Sequence, residues 1–161
     1  MIRFSTRGEY GLRLMMDLAR RYNQGPQSLA EVARHEALPV SYLEQLAGKL
    51  RKANLVASHH GAHGGYELTR RPADITVGAV LRVLEGPISP MVCATEGEDQ
   101  MLCERQVSCG ASIVWERVRE SVAQALDSLT LADLIPPPHT APIYFYPQES
   151  FETHGRDKVN A

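Results

Sequence analysis

The chain has 161 residues, 43 % of them apolar, which is enough for one domain with its own core and an appended segment. Its three cysteines are few and odd in number, which argues against a disulfide framework. The sequence contains neither a run of about 18 apolar residues that would span a membrane nor a signal-peptide core, so we expect a cytoplasmic protein with no membrane partner. The net charge of −2 hides an asymmetry, because residues 1–85 carry twelve basic and eight acidic residues whereas residues 86–161 carry five and eleven. A cationic first half joined to an acidic second half favours a DNA-facing module.

Three segments of the form Ser/Thr-x-x-Glu mark helix starts in the first half of the chain. These capping boxes begin at Thr6, Ser28 and Ser41. The three helices are expected to end at Gly25-Pro26, at about Glu36 and at Ala53, with Asn54 as the last cap. The break Ala37-Leu38-Pro39 separates the second helix from the third by a short turn, which predicts a helix-turn-helix.

A β-hairpin is predicted directly after the third helix. Residues 55–58 and 66–69 have the composition of short strands, and the glycine-rich tip 59–65 permits a tight reversal between them. A hairpin in this position is a wing. Thr76 is then expected to cap a helix from Val77 to about Glu85.

The second half of the chain begins with a cysteine-containing segment, residues 87–111, that has no helical or strand period. A long helix is predicted from about Ser112. Its apolar residues step by three and four positions and form a heptad-like stripe: Trp115, Val118, Val122, Ala125 and Leu129. This stripe favours a helix that pairs two subunits, although packing into a core is the alternative. Thr130 is expected to cap one more turn, and the proline-rich residues 136–161 are predicted to be a disordered tail.

Together these elements predict a mainly α protein with a small β-hairpin wing. Its winged helix-turn-helix DNA-binding domain would span residues 1–86 and its dimerisation helix region residues 112–135, with the cysteine segment between them.

Several separated blocks resemble the IscR/NsrR/CymR family of bacterial winged-helix regulators, over roughly residues 1–135. The blocks are Ser41-Tyr42-Leu43-Glu44-Gln45-Leu46, Leu50-Arg51-Lys52-Ala53-Asn54-Leu55-Val56, Gly64-Gly65-Tyr66-Glu67-Leu68, Ile75-Thr76-Val77 and Glu85-Gly86. The resemblance implies a homodimer paired through the long helix. It also implies an iron–sulfur cluster on three cysteines that precede this helix, a place occupied here by Cys93, Cys103 and Cys109.

Thiolates are the favoured protein ligands of iron–sulfur clusters, and three cysteines leave one ligand position for another residue. The resemblance to NsrR-like proteins suggests Glu9 of the opposite subunit as the fourth ligand, and the family analogy favours a 2Fe–2S cluster over a 4Fe–4S cluster. The capping box with Thr6 is an equally good explanation of Glu9. Ser112 stands where IscR-like proteins have a histidine ligand, so it is a weaker candidate, as are Glu104, His139 and His154. The alternatives for the cysteines are plain or redox-active thiols, as in CymR-like proteins, and a zinc site.

The amino end of the second helix of a helix-turn-helix faces base edges in the major groove. Here those residues are Ser41, Tyr42, Glu44 and Gln45. Glutamine can pair with adenine, and glutamate can accept a hydrogen bond from the amino group of cytosine. Glu44 could instead take part in the capping box with Ser41, which would compete with its contact to a base. Arg51 is the favoured phosphate contact, and Lys52, Arg3, Arg7 and Arg13 are further candidates. The wing would lie along the minor groove with His60 and Gly61. In the family the position of His60 is often arginine.

The combined prediction is a homodimeric regulator, a repressor, that binds double-stranded promoter DNA and responds to its cluster. IscR-like control of iron–sulfur biogenesis or iron homeostasis genes is the leading hypothesis. The alternatives are an NsrR-like sensor of nitric oxide or redox state and a cluster-free CymR-like regulator. The sequence shows none of the usual enzyme motifs, so catalysis is not expected.

Overall fold

The computed structural model describes residues 5–61, 64–97 and 109–135. Seven main elements follow one another in the chain: α1 (Thr6–Arg20), α2 (Leu29–Glu36), α3 (Val40–Lys52), β1 (Val56–His59), β2 (Gly65–Leu68), α4 (Val77–Glu85) and α5 (Ala111–Asp127). Short 3-10 turns lie at Pro72–Asp74 and Val92–Ala94. The mainly helical fold with one antiparallel hairpin confirms the predicted fold class. We refer to residues 5–86 as the head and keep the name cysteine segment for residues 87–111, of which 87–97 and 109–111 are described.

Helix α1 differs from its prediction at both ends. Its N-cap is Ser5, whose hydroxyl accepts from the backbone N–H of Arg7, so the capping box predicted at Thr6 is wrong. The helix ends at Arg20, well before Gly25-Pro26. The chain reverses earlier because Asn23 and Gly25 both adopt left-handed backbone conformations, with φ of 66° and 91°.

The helix-turn-helix consists of α2 and α3. Helix α2 is capped by Ser28, whose hydroxyl accepts from Ala30, and it ends at Glu36, as predicted. Ala37 in the turn is left-handed, with φ of 53°. Helix α3 begins at Val40 with Pro39 as its N-cap, so the capping box predicted at Ser41 is wrong. The proline carbonyl accepts from two N–H groups of the first turn, and the helix therefore starts before a hydroxyl at position 41 could cap it.

The end of α3 leads directly into the wing. Asn54 is left-handed, with φ of 56°, and the N–H groups of Asn54 and Leu55 donate to the carbonyls of Arg51 and Leu50. The helix ends at Lys52 with Ala53 as its C-cap, one residue earlier than predicted, so the prediction of Asn54 as the cap is wrong. Asn54 is instead the left-handed residue that follows the cap in this Schellman closure. The first strand begins one residue later than predicted, at Val56.

The wing is joined to the helix-turn-helix through the segment that precedes α2. Strands β1 and β2 pair in antiparallel register from Val56↔Leu68 to His59↔Gly65. On its other side β2 exchanges two backbone hydrogen bonds between Tyr66 and Gln27, of 2.8 and 2.9 Å. A Cβ on Gly65 would meet the backbone of Gln27, so this position needs glycine for close approach.

The core lies between α1, α3 and α4, which contribute most of the fully buried side chains. Helix α4 begins after Thr76, whose hydroxyl accepts from Ala79, and ends at Glu85, as predicted. Its apolar face packs closely on α1, where Leu84 lies against the space beside Gly11. The largest fully buried side chains are Leu14, Met15, Val32, Leu43, Leu46, Leu50, Val56, Ile75, Val80, Leu84 and Leu131.

Helix α5 lies outside this core, and none of its residues is buried within one chain. It ends at Asp127, so Leu129 is not part of the helical stripe as predicted. The chain then returns to the head: the Leu129 carbonyl accepts from Val77, and Leu131 is fully buried and donates its N–H to Ile75. Thr130 and Asp133 bond reciprocally in the turn predicted there. The predicted tail, 136–161, lies outside the described residues.

Candidate DNA interface and cysteine segment

The amino end of α3 presents polar side chains to solvent. Ser41, Glu44 and Gln45 are exposed. The side chain of Glu44 makes no hydrogen bond or ion pair within the described part of the chain. Because Ser41 is not the cap, the competition expected for Glu44 is absent. Tyr42 is half-buried instead, with its ring edge-on to that of Tyr10 at a centroid separation of 5.9 Å. The amino end of α3 therefore has three exposed polar side chains beside the Tyr42 ring, which packs against Tyr10.

Basic and glycine residues extend this surface toward the wing. Arg51, near the end of α3, donates to the hydroxyl of Ser58 in β1 at 3.2 Å. This bond connects the guanidinium of α3 to the first strand of the wing. His60 and Gly61 are exposed at the wing tip, where Gly61 has a φ of 111°. Residues 62–63 lie outside the described part. Across the wing, His59 bonds to Glu67 at 2.6 Å.

Two of the further phosphate candidates are engaged within the head. Arg13 donates to the carboxylate of Glu36 at 2.9 Å and lies 6.0 Å from the centre of the Tyr10 ring. Arg7 lies 3.8 Å from Glu85. Arg3 lies outside the described residues. Arg13 and Arg7 thus have carboxylate partners within the head, whereas the partner of Arg51 is a neutral hydroxyl.

Within the cysteine segment, residues 88–96 fold back on themselves around Cys93. Cys93 lies in the 3-10 turn Val92–Ala94, is partly buried, and is followed by the fully buried Ala94. The loop is closed by Glu96, which accepts from the N–H of Ile88 through its side chain and donates its own N–H to the Ile88 carbonyl, at 3.0 and 3.1 Å.

The second described cysteine, Cys109, lies at the start of α5. It is exposed, and its carbonyl accepts from the N–H and the hydroxyl of Ser112, at 3.0 and 2.8 Å. Ser112 thus braces the first turn of α5. Cys103 lies outside the described residues, and among those described no three His, Cys, Asp or Glu side chains converge.

Glu9 does not fill the capping role that the sequence pattern suggests for it. It is exposed on the first turn of α1 and has no side-chain partner within residues 5–61, 64–97 and 109–135. The carboxylate that completes the cap of α1 is that of Glu85, at the end of α4. One of its oxygens accepts from the Ser5 hydroxyl, the Gly8 N–H and the Ser5 N–H, at 2.6, 2.7 and 3.2 Å.

Burial acts to raise the pKa of Glu85, but the hydrogen bonds from Ser5 and Gly8, with the Arg7 cation, outweigh it and hold this pKa below its ordinary value. A Cβ on Gly8 would lie 2.6 Å from the same oxygen, so glycine is needed for this contact. Sequence patterning missed Glu85 because its partners are about 80 residues away in the chain.

An apolar groove of about 590 Å³ runs between α4, residues 86–91 and α5. Four α5 residues line it at helical spacing: Trp115, Val118, Val122 and Leu126. Ile113 and Val114 are 69 % and 57 % exposed on the same helix. Within one chain, α5 therefore leaves part of its apolar surface exposed to solvent.

Comparison with known proteins decides the family. A family model described as "Rrf2: Iron-dependent Transcriptional regulator" matches residues 4–137. The chain belongs to the Rrf2 family of transcriptional regulators. It is 44 % identical to the HTH-type transcriptional regulator CymR of Bacillus subtilis over 133 residues, which are 83 % of this chain and 89 % of that protein. It is 33 % identical to the HTH-type transcriptional regulator IscR of Erwinia tasmaniensis over 134 residues, covering 83 % and 79 %.

Solved structures of Rrf2-type regulators share this fold. The structure of CymR, described as the global cysteine regulator of B. subtilis, matches with a TM-score of 0.67 and 45 % identity, over 83 % of this chain and 96 % of that one. The T. potens IscR structure matches with a TM-score of 0.66 and 42 % identity, over 83 % and 85 %. These matches confirm the expected resemblance, with transcription regulation and DNA binding as its function. Within the described ranges, no helix has the length and apolar character needed to cross a membrane.

Proposed function

We propose that this Rrf2-family chain is a homodimeric repressor that reads promoter DNA with α3 and the wing and responds to an iron–sulfur cluster on Cys93, Cys103 and Cys109. One observation carries the proposal: the segment that contains all three cysteines connects the head to α5. Cys93 lies in a turn that packs against α5 and is followed by Glu96, which bonds to Arg82 of α4, and Cys109 lies two residues before α5 begins. A ligand shared by these thiols would fix the head relative to the proposed pairing helix. IscR-like control of iron–sulfur biogenesis or iron homeostasis genes, in the cytoplasm, is the role we propose.

The DNA-reading part of the proposal rests on the exposed first turn of α3. Glu44 and Gln45 are free to reach base edges, and Ser41 can donate or accept beside them. Tyr42, braced by Tyr10, adds a fixed contact surface. Arg51 would hold a phosphate, and His60 and Gly61 would follow the minor groove. Such phosphate contacts supply affinity, whereas the α3 side chains supply sequence preference.

Replacing Glu44 by alanine tests this surface. Because Glu44 makes no cap or ion pair within the described residues, Glu44→Ala should leave the unfolding midpoint unchanged. It should relax discrimination at one cytosine-bearing position of a duplex selected from a random pool, by about 1–3 kcal/mol. Binding to the selected duplex and to its single-base variants measures this. An equal loss of affinity for all variants would contradict a base-reading role for Glu44.

The homodimer part rests on the apolar face of α5. Trp115, Val118 and Val122 line an open groove within one chain, and a second copy of α5 would cover them. A dimer would also place two α3 helices on one face of a pseudo-palindromic site. Val118→Glu should convert the protein to a monomer in sedimentation experiments, whereas Glu120→Gln, on an exposed α5 position, should not.

The cluster part rests on the chemistry of the donor set. Three thiols within 17 residues suit iron–sulfur ligation, and the cluster would supply a centre whose loss or oxidation alters the cysteine segment. Glu9 would be the fourth ligand, contributed by the partner subunit, because its capping role is filled by Glu85. By analogy with IscR-like proteins we propose a 2Fe–2S cluster. Glu9→Ala should change the visible absorption and the lability of the cluster, and unchanged values would exclude this ligand role.

A second candidate function is that of a CymR-like regulator that binds no cluster. The observation that favours it is the 44 % identity to CymR of B. subtilis, a protein described as a global cysteine regulator. Protein that is purified without oxygen, lacks iron and sulfide and still binds its selected duplex would favour this candidate. An NsrR-like response to nitric oxide is a variant of the cluster hypothesis, distinguished by loss of the cluster spectrum on exposure to that gas.

A further inference from the structure

One guanidinium connects the head, the cysteine segment and α5. Arg82 lies on α4, and its Nε and Nη2 donate to the two carboxylate oxygens of Glu96 at 2.8 and 2.7 Å. Its Nη1 and Nη2 donate to the carboxylate of Asp127, the last residue of α5, at 2.6 and 2.8 Å. Glu96 is three residues after Cys93. Arg82 therefore bonds in bidentate fashion to one carboxylate within the cysteine segment, Glu96, and to one at the end of α5, Asp127.

The packing around Arg82 is shaped for this arrangement. Gly78 lies one turn before Arg82 on α4, and a Cβ at that position would clash with both the Asp127 carboxylate and the Arg82 guanidinium. Hydrogen bonds to Glu96 and Asp127 raise the pKa of Arg82, and the bond from Arg82 in turn lowers the pKa of Glu96. Charge-assisted bidentate pairs of this kind fix orientation as well as distance.

The Cys93 turn is held firmly relative to Glu96. The loop from Ile88 to Glu96 is closed by two bonds between these residues, and the hydroxyls of Ser89 and Thr95 bond across it at 2.7 Å. Ala94, the last residue of the turn, is fully buried. A displacement of Cys93 therefore moves Glu96, and with it one of the two carboxylates that hold Arg82.

On its other side, α4 is tied into the DNA-binding elements. Glu85, three residues after Arg82, caps α1 at the turn that carries Glu9. Val80 and Leu84 are buried in the core that also contains Leu43 and Leu46 of α3. A shift of α4 would thus reach the recognition helix through packed side chains.

We propose that Arg82 is a positioning residue that couples the cysteine segment to the DNA-binding head, through the opposed carboxylates of Glu96 and Asp127. This inference rests on the proposed function, in which the cysteine segment is the sensor. Binding free energies of two coupled sites are reciprocal, so occupancy of the head by DNA must alter the cysteine segment, as the cysteine segment alters DNA affinity.

The test uses this reciprocity and needs no cluster. In the full chain with Cys103→Ser and Cys109→Ser, Cys93 is the remaining thiol, and its alkylation by N-ethylmaleimide is timed with and without the selected duplex. We expect the duplex to change the alkylation rate measurably, because it shifts the population of the conformations in which the Cys93 thiol reacts. Arg82→Gln in the same background should bring the two rates together. A duplex effect that is absent in the parent, or that is as large in Arg82→Gln as in the parent, would overturn the coupling.

Matched variants separate coupling from general stability. Arg71→Gln removes another bidentate arginine–carboxylate pair, with Asp74 at 2.7 and 3.0 Å, and should keep the duplex effect. Gly78→Ala attacks the Asp127 side sterically, and Glu96→Gln weakens the other side, so each should reduce the duplex effect even if Arg82→Gln does not fold. The full duplex effect in folded Gly78→Ala and in folded Glu96→Gln would overturn the proposal.

The outcomes also distinguish this inference from the proposed function. A protein that selects no duplex overturns both. A protein that selects a duplex but lacks iron removes the cluster hypothesis and leaves the alkylation result valid. A protein that contains a cluster but shows equal duplex effects in the parent and in Arg82→Gln overturns the coupling alone.

Discussion

The head and the α5 region of this chain are held by different kinds of interaction. The head encloses a continuous apolar core, in which Leu14, Leu43 and Leu50 are fully buried. Helix α5 buries no residue within one chain, and its end is fixed by the ion pair from Arg82 to Asp127 and by the return of Leu131 to the head. Burial of apolar area is a large, undirected stabilisation, whereas paired charges at the surface contribute little net stability and fix geometry. The comparison indicates a head that is stabilised by its own core and an α5 region that is positioned by a few specific contacts.

The largest expected effect comes from opening a cavity in the head. Leu50→Ala removes a fully buried side chain of α3 and should lower the free energy of unfolding by about 2–5 kcal/mol. Urea denaturation measures this, and the loss should be the same at every protein concentration. Val122→Ala on α5 is the matched change, and its effect should depend on protein concentration, since it weakens the proposed dimer. Concentration-independent losses of equal size would remove the contrast between the two regions.

The next effect concerns the contact between the wing and the helix-turn-helix. Gly65→Ala places a Cβ against the backbone of Gln27, which cannot move without breaking its two bonds to Tyr66. Such overpacking should cost about 1–3 kcal/mol and weaken duplex binding. Gly48→Ala is a suitable control, because the space beside Gly48 is open. Equal unfolding midpoints for the two variants would show that the wing is not locked in this way.

A smaller effect of opposite sign is expected in the helix-turn-helix itself. Ala37 is held in a left-handed conformation that costs an L-residue about 1–2 kcal/mol. Ala37→Gly relieves this strain, partly offset by the greater freedom of glycine in the unfolded chain, and should stabilise the head by roughly 0.5–1 kcal/mol. A lower melting temperature for Ala37→Gly would contradict the left-handed turn.

The smallest expected effect is the loss of stability at low pH. It distinguishes the two regions, because Glu85 lies in the head and Glu96 lies in the segment that leads to α5. The pKa values of Glu85 and Glu96 are both held below the ordinary value, so each contributes stability above that value and loses it as the pH falls through the lowered pKa. Glu85→Gln should flatten the loss of stability of the head below about pH 4.5. Protonation of Glu96 weakens its bonds to Arg82 and Ile88, which line the same groove as Trp115. The fluorescence of Trp115 should therefore change with acid in the wild type and change less in Glu96→Gln. Identical acid profiles for both variants and the wild type would contradict these assignments.

Much of the head could be predicted from local sequence alone. The ends of helix α4 are predictable to the residue because Thr76 and Gly86 act within one turn of them. The start of helix α1 is not, because two hydroxyl residues stand side by side there. The choice between them depends on Glu85, about 80 residues away, whose carboxylate bonds to Ser5. Pro39 misleads the pattern at α3 in a similar way, because its backbone carbonyl replaces the side-chain cap that a sequence motif detects.

The candidate site could be predicted only in part. The exposure of Glu44 and Gln45 follows from helical period, and the grouping of the cysteines is visible in the sequence. The pairing of Arg82 with Glu96 and Asp127 was not predictable, because it depends on the return of α5 to the head after a segment with no period. Long-range ion pairs leave no local signature of the kind that hydrophobic spacing leaves.

The central claim is that Cys93, Cys103 and Cys109 together hold an iron–sulfur cluster. The most direct test is to purify the protein without oxygen, record its visible absorption, and count iron and acid-labile sulfide per chain. The same measurement is made on Cys103→Ser and on the control Ser128→Ala. Visible bands with about two irons and two sulfides per chain, kept in the control and lost in Cys103→Ser, are the predicted result. A colourless, iron-free protein that still binds its selected duplex would contradict the claim and favour a CymR-like regulator that binds no cluster.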